Sequence, residues 1–485
     1  MHGVRMDERD LEAEEAGPWL RVDQVRPLRR ERPERLRDVG DLEGDVVHAR
    51  PPLGEEPADG RVLARRGEQL DPALSDEEQR GLDPLRGEGL PSLQPSPEQA
   101  GPRRDRLVQV RDGDTDVMDS VRLHAGDATR PTSTLGPMAG ELPLPPHVDP
   151  ERVGDVWRVE YEARFADALS WQAEHGLEPA TRDRGRVCLL LVDAQNTFCT
   201  PGFELFVAGR TGTGALEDSR RVCDFLYRNL RAITQTVVTL DTHQAFQIFH
   251  APFLVDREGR HPSPFTLVTP GDVVSGRWRV DPGAAETVGL ERPEDHLVAY
   301  VETLAAGGKY ELTVWPFHAM LGGIGHALVS AVEEALFFHA VARRSQTRFE
   351  IKGESPLTEH YSVLGPEVLH GSGGETLGVR NADLVEYLLD FDAVLVAGQA
   401  KSHCVAWTVD DLLRDAPEIA PRLYLLEDCS SPVVVPGIDY TDDADAAFAR
   451  FAEAGAHVVR STAPIASWPG PIAEVTSSLS APRPA

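Results

Sequence analysis

The hydrophobic pattern divides the chain into two stretches. Up to about residue 137, apolar positions are single Leu, Val or Ala residues scattered among Arg, Glu, Asp, Pro and Gly, with no sustained period. From about Pro150 the pattern changes. Val156, Trp157, Val159, Tyr161, Phe165, Leu169 and Trp171 recur at helical spacing and predict a helix packed on the domain C-terminal to it. Short apolar runs then alternate with helical ones. Arg186–Val192 (RVCLLLV), Thr236–Leu240, Arg348–Ile351, Ala393–Ala397 (AVLVA), Leu423–Leu426 and His457–Val459 read as strands. Arg220–Ile233, Ile324–Arg343, Asp383–Leu389, Val405–Leu413 and Asp442–Ala454 read as helices. Continuous apolar strands are those buried on both faces. Their alternation with helices predicts an α/β protein with three α/β/α layers and a mostly parallel, Rossmann-like sheet.

Composition sharpens the division. The first 137 residues contain one aromatic, Trp19, although the 485-residue chain has 7 Trp, 8 Tyr and 16 Phe. They lack Ile, Lys, Asn and Cys, and hold 21 Arg against 30 Asp and Glu. Such a stretch buries too little apolar surface to offset ordering costs of roughly 1–2 kcal/mol per residue. The expected organisation is therefore a disordered or non-native extension over 1–137, a helical lead-in over 138–185, one domain over 186–465 and a disordered tail over 466–485. Residues 251–314 form an insertion within that domain. Phe, Ile, Lys, Asn and Tyr are encoded by AT-rich codons. Their absence from 1–137 also fits a start codon assigned too far upstream in GC-rich DNA, with Met138 as the true start.

Other classes are disfavoured. No apolar run approaches the roughly 20 residues that span a bilayer, and Met1–Asp10 has no apolar leader core. The net charge of −30 argues against nucleic-acid or anionic-membrane partners. Five cysteines without regular spacing point to a reducing, cytoplasmic compartment. A homo-oligomer remains open.

In open α/β sheets, ligands bind beyond the carboxyl ends of the strands. Asp193 follows the first strand, Asp241 and His243 the second, and Lys352 the third. The loop Gly398-Gln399-Ala400-Lys401-Ser402-His403-Cys404 follows the fourth. Cys404 enters a helix, where terminal amides lower a thiol pKa and receive an oxyanion. The alternative is an inert buried thiol. A carboxylate ending an apolar strand is desolvated, which suits Asp193 to general-base work; a loop-capping Asp would look the same. Lys352 is one of three lysines in an Arg-rich chain, and a surface lysine is the plain reading of it.

Asp241-Thr242-His243 places two ligand types on one face of an extended segment. His250 and His318 complete an Asp plus three-His set suited to a divalent metal, zinc first, with iron or manganese as alternatives. His261, His326, His339 and His360 compete for the same assignment.

These residues, in order, resemble the isochorismatase-like cysteine hydrolases, and most closely the nicotinamidase branch, over about Arg186 to Ser461. Asp193, Gln195 and Phe198 match the family's D-x-Q-x-D-F, with Thr197 for the second Asp. Asp241 and His243 match D-x-H. Trp315, Pro316 and His318 match W-P-x-H, followed by Ala319 where Cys is usual. Lys352, Gly353, Tyr361 and Ser362 match K-G…Y-S. Gly398, Ala400, Cys404 and Val405 match G-x-A-T-x-x-C-V, with Lys401 for Thr. The resemblance implies the isochorismatase-like hydrolase fold and a Cys404-Asp193-Lys352 triad. It further implies a cis peptide between Gln399 and Ala400 that turns the Ala400 amide toward an oxyanion. It implies a ring pocket lined by Phe198, Trp315 and His403. It implies metal ligands at Asp241, His243, His250 and His318, and hydrolysis of a small amide, nicotinamide foremost, through a thioester. A hydrolase of another small amide or carbamoyl compound, or a silent ligand-binding protein of this fold, are the alternatives.

Overall fold

The computed structural model describes residues 141–308 and 310–477; the expected extension over 1–137 lies outside them. A six-stranded parallel sheet forms the core. Its strands are β1 (Val187–Val192), β2 (Gln235–Asp241), β3 (Arg348–Lys352), β4 (Ala393–Gly398), β5 (Leu423–Leu426) and β6 (His457–Val459). They lie in the order β6-β5-β4-β1-β2-β3. Leu189 of β1 pairs with Thr236 on one side and Leu395 on the other. Every residue of β1 and β4 is buried, as their unbroken apolar sequences require. β3 is an edge strand, and its alternation leaves Phe349 and Ile351 about half exposed.

The crossover helices are α2 (Gly214–Arg228), α3 (Ser330–Arg343), α4 (Ala382–Leu389), α5 (Ala406–Asp415) and α6 (Thr441–Glu453), preceded by α1 (Tyr161–His175). The chain steps from β1 to β2 and β3, then returns past β1 to β4 and continues outward to β5 and β6. Right-handed crossovers place α2 and α3 on one face and α4, α5 and α6 on the other. α2 packs on α3, α5 on α6, and α1 on the outside of α3. The strand order reverses between β1 and β4, which makes their carboxyl ends the switch point.

Four sequence expectations shift. The helix expected from Ile324 begins at Ser330. Residues 324–329 instead bond to the segment after β1: Asn196 N–H donates to Ala327 O at 2.8 Å and Asn196 Nδ2 to Ile324 O at 2.9 Å. The helix expected over 220–233 runs from Gly214 to Arg228. The lead-in helix starts only at Tyr161, and its packed face is narrow. Ala168 and Trp171 turn inward, while Tyr161, Phe165 and Leu169 are 40%, 50% and 40% exposed. Finally, the tail expected to be disordered from 466 is ordered to 477. Trp468 stacks on Phe225 with centroids 5.8 Å apart, and Ile472, fully buried, opens a helix to Ser477. Tyr424 OH holds it too, donating to Pro469 O at 2.9 Å and accepting from Ile472 N–H at 3.2 Å.

The insertion over 251–314 is folded. It holds helices Pro270–Val274, Pro282–Val288 and Pro293–Ala306, and two ribbons of two-residue strands. Each helix has proline at its first position, where the fixed φ and missing N–H cost nothing. Thr269 and Asp281 cap the first two. His296 Nε2 lies 3.0 Å from Leu357 O, Tyr300 OH accepts from Glu359 N–H at 2.9 Å, and Tyr310 OH donates to Ser402 O at 3.0 Å. The insertion is thus tied to the loops after β3 and β4.

Candidate functional site

β4 comes close enough to β1 to bring the two loops together because its last residue is glycine. Gly398 has φ 113°, and a Cβ there would stand 1.9 Å from Val192 O. The next peptide, Gln399–Ala400, is cis, as the resemblance implied. The chain then makes a π-helical turn, Lys401–Val405, before α5. Such turns recur at functional sites. Cys404 is 7% exposed in this turn. The Ala400 N–H has no hydrogen-bond partner among the described residues.

Asp193, directly after β1, adopts φ 45° and is fully buried. A non-glycine residue held in the left-handed region is a common mark of a functional position. Thr239 of β2 holds it. Asp193 N–H donates to Thr239 Oγ1 at 3.0 Å, and that hydroxyl donates to Asp193 Oδ1 at 2.5 Å. Lys352, at the end of β3, reaches across with Nζ 3.0 Å from Asp193 Oδ2, 2.9 Å from Asp241 Oδ1 and 3.6 Å from Cys404 Sγ. It also donates to His360 O at 3.1 Å. The three residues of the expected triad therefore meet, and Lys352 joins them to the first expected metal ligand.

Burial raises the Asp193 carboxyl, against the pull of Lys352. Burial also drives the Cys404 thiol well above its ordinary range, with Lys352 opposing and Asp193 and Asp241 adding to it. Burial thus acts against the lowering expected from helix-end amides. Burial opposes the charge on Lys352, but the two carboxylates hold its pKa well above the ordinary lysine range. Burial alone would raise Asp241, yet His243 and Lys352 hold it below the usual carboxylate range.

Asp241, His243 and His318 place one ligand atom each within 4.8 Å of one another, all buried. Asp241 Oδ2 lies 2.8 Å from His243 Nε2 and 3.7 Å from His318 Nε2, while its Oδ1 faces Lys352. The histidines share one arrangement. Nδ1 of His243, His318 and His250 lies 3.2, 2.8 and 3.0 Å from the carbonyls of Gly353, Pro316 and Gln244. A proton on Nδ1, donated to those carbonyls, is the tautomer that would leave Nε2 as the electron pair a metal takes. His250 stands further out, its ring 5.9 Å from that of His243 and 5.7 Å from that of His318. Its Nε2 is buried without a partner among the described residues. A buried carboxylate oxygen, two adjacent imidazoles and an orphaned third nitrogen fit a divalent cation. Of the competing histidines, His261 and His339 bond backbone carbonyls, Leu254 O at 2.8 Å and Ile233 O at 3.0 Å. His326 Nε2 sits 2.9 Å from the Thr242 hydroxyl.

The expected pocket residues divide. Phe198 is buried against His318, ring centroids 5.6 Å apart. Trp315 and His403 lie 5.6 Å apart in an aromatic cluster with Tyr310, Tyr361 and Tyr440. Trp315 Nε1 donates to Tyr361 OH at 3.2 Å. Burial holds the His403 imidazole at a pKa of about 3. Thr197 donates to Glu204 Oε2 at 3.1 Å.

Sequence reasoning missed two contributors, Thr239 and Tyr310, and gave a third, Gly353, only as part of a matched motif. Thr239 shares a face with Asp241, two residues on, and that spacing was the available signal. Gly353 has φ 89°, and a Cβ there would meet His243 Cε1 at 2.7 Å and Asp241 Oδ1 at 2.8 Å. Tyr310 comes from the insertion, with no motif to announce it.

No family model matches the chain, and no curated protein matches it. Among solved structures it is similar to a nicotinamidase/pyrazinamidase from Acinetobacter baumanii, with 18% identity, 58% of this chain and 99% of that one covered, and a TM-score of 0.35. It is similar also to the yeast nicotinamidase Pnc1p bound to the inhibitor nicotinaldehyde, with 20% identity, 56% and 99% covered, and a TM-score of 0.36. A third is the pyrazinamidase of Pyrococcus horikoshii in complex with zinc, with 18% identity, 57% and 99% covered, and a TM-score of 0.30.

Proposed function

We propose that the protein is a cysteine hydrolase of the isochorismatase-like type that cleaves a small aromatic carboxamide, nicotinamide foremost, to the acid and ammonia. One observation carries this reading: Lys352 Nζ lies 3.6 Å from Cys404 Sγ and 3.0 Å from Asp193, all three buried. A structural cysteine needs neither partner.

The substrate carboxamide enters beside Cys404. Asp193, held by Lys352 and Thr239, acts as the base that takes the thiol proton, and the thiolate attacks the carbonyl carbon. The negative charge that develops on oxygen is received by the Ala400 and Cys404 N–H groups. The C–N bond breaks as Asp193 returns its proton to nitrogen, releasing ammonia and leaving a thioester. Asp193 then deprotonates a water that attacks the thioester. The acid departs, and the Asp193 proton restores the thiol. Lys352 stays charged throughout and compensates the anion as it moves between Asp193 and Cys404. Asp241, His243 and His318, with His250 as the outer member, would hold a divalent metal, zinc first. When bound, that metal would supply a Lewis acid that fixes the ring nitrogen of the substrate.

Ammonia release from nicotinamide, benzamide and an aliphatic amide by metal-loaded protein, with and without Cys404→Ala, tests the reading. Turnover of the aromatic amides that disappears in Cys404→Ala, with an unchanged circular-dichroism spectrum, is expected. Activity surviving in that variant refutes the nucleophile. Preference for the aliphatic amide refutes the substrate class.

A further inference from the structure

Behind the nucleophile loop lies a buried polar strut with no part in the chemistry above. Asp218, on α2, is 2% exposed, and Gln399, the residue before Ala400, is 1% exposed. Gln399 Nε2 donates to Asp218 Oδ2 at 2.9 Å, and Gln399 Oε1 accepts from Ser431 N–H at 3.2 Å. Asp218 also accepts from Arg221 Nη2 at 2.8 Å and takes a hydrogen bond from the Ser431 side chain. Both ends of the Gln399 side chain are therefore fixed. The backbone around it is fixed as well: Gln399 N–H donates to Val192 O, and Lys401 N–H to Ser431 O, each at 2.8 Å. Ala400 is the residue left between these two anchors.

Burying a carboxylate costs several kcal/mol unless it is well partnered, and an apolar pair of the same shape fills such a space at lower cost. A plain packing role would not require Asp218 and Gln399. Their geometry acts on one neighbour, the Ala400 amide, and an oxyanion donor is effective only when held within a few tenths of an ångström of its target.

We infer that Asp218 is a positioning residue which, through the Gln399 side chain, sets the direction of the Ala400 N–H. This rests on the hydrolase reading for its effect on turnover, but not for its effect on the loop. Arg221 and Ser431 complete the frame by saturating the carboxylate. The helix that packs behind the sheet thereby controls the amide in front of it.

The test uses the full chain, metal-loaded, as Asp218→Asn and as Asp218→Asn/Gln399→Glu. In the double variant the donor and acceptor change places and the bond is rebuilt. Asp218→Asn is expected to lower kcat about 100-fold, the scale for losing one oxyanion donor, with KM for nicotinamide within about twofold. Nicotinaldehyde, which forms a tetrahedral adduct with a thiol, should lose affinity in parallel with kcat/KM, whereas the planar product nicotinate should not. The double variant should recover most of both losses. Hydrogen exchange over 398–405 should accelerate in Asp218→Asn, with that over 187–192 unchanged. Unchanged exchange over 398–405 overturns the inference, as does a rise in KM with kcat intact. If wild-type protein releases no ammonia, the hydrolase reading fails, and loop exchange alone decides the strut. If Asp218→Asn does not fold, Gln399→Met keeps the shape, removes the bond and is read the same way.

Discussion

Thr239 and Asp193 form a reciprocal pair across the β1–β2 boundary: the Asp193 N–H donates to the Thr239 hydroxyl, and that hydroxyl donates to the Asp193 carboxylate. The hydroxyl's bond favours the ionised carboxylate and works against the burial that raises its pKa. Thr239→Val keeps the shape and removes the bond. The Asp193 pKa should rise further, and the acid limb of the kcat/KM profile should move to higher pH. Stability should fall by about 1–3 kcal/mol for the orphaned acceptor. A pH profile superimposable on wild type would show that Asp193 is not the base.

Lys352 neutralises two buried carboxylates at once, Asp193 and Asp241. Lys352→Met should therefore do more than stop turnover. It leaves two anions without a cation in a desolvated site, and the urea midpoint should drop by an amount equivalent to about 3–5 kcal/mol. Near-wild-type stability would mean that water reaches the cluster.

Gly353 supplies the carbonyl that orients His243 and leaves no room for a Cβ. Gly353→Ala should weaken metal binding about 10–100-fold, the range for disturbing a group that orients a ligand, while the sheet remains intact. Metal titration followed by elemental analysis measures this. Full occupancy at wild-type affinity would place the metal elsewhere.

Acid should destabilise the fold through its buried neutral histidines. Burial lowers His339 to about 4, and His360 and His403 to about 3, from an ordinary 6.5. Between pH 6.5 and about 4 the unfolded chain takes up protons at these sites and the folded chain does not. Stability therefore falls as pH falls through that window, each site contributing about 1–3 kcal/mol. Urea midpoints of metal-free protein across the window should show the slope, and His339→Gln should flatten it. A slope unchanged in that variant would show that His339 does not contribute to it.

Much of the fold was legible because a strand buried on both faces must be apolar throughout. Val187–Val192 and Ala393–Gly398 are, and the helices between them carry the complementary period. The site was legible where its residues follow strands directly, as Asp193, Asp241 and Lys352 do. Parallel strands bring their carboxyl ends together whatever their distance in sequence. Illegible residues were those whose local signature is ordinary. Thr239 is a common strand former. Asp218 looks like a helix-surface charge paired with Arg221 three residues on, although the pair lies against the nucleophile loop. The burial that raises the Cys404 thiol was not legible either, because burial is a property of the assembled fold, while a helix terminus can be read from local sequence.

The contacts of the insertion have a dynamic consequence. Its ribbons are two residues per strand, and two of its three helices span only five and seven residues, elements that are marginal alone. It borrows order from the loops it touches, through His296, Tyr300 and Tyr310. Insertion and loops are therefore expected to open together: a fluctuation that exposes Tyr310 would also free the Ser402 carbonyl, two residues before Cys404.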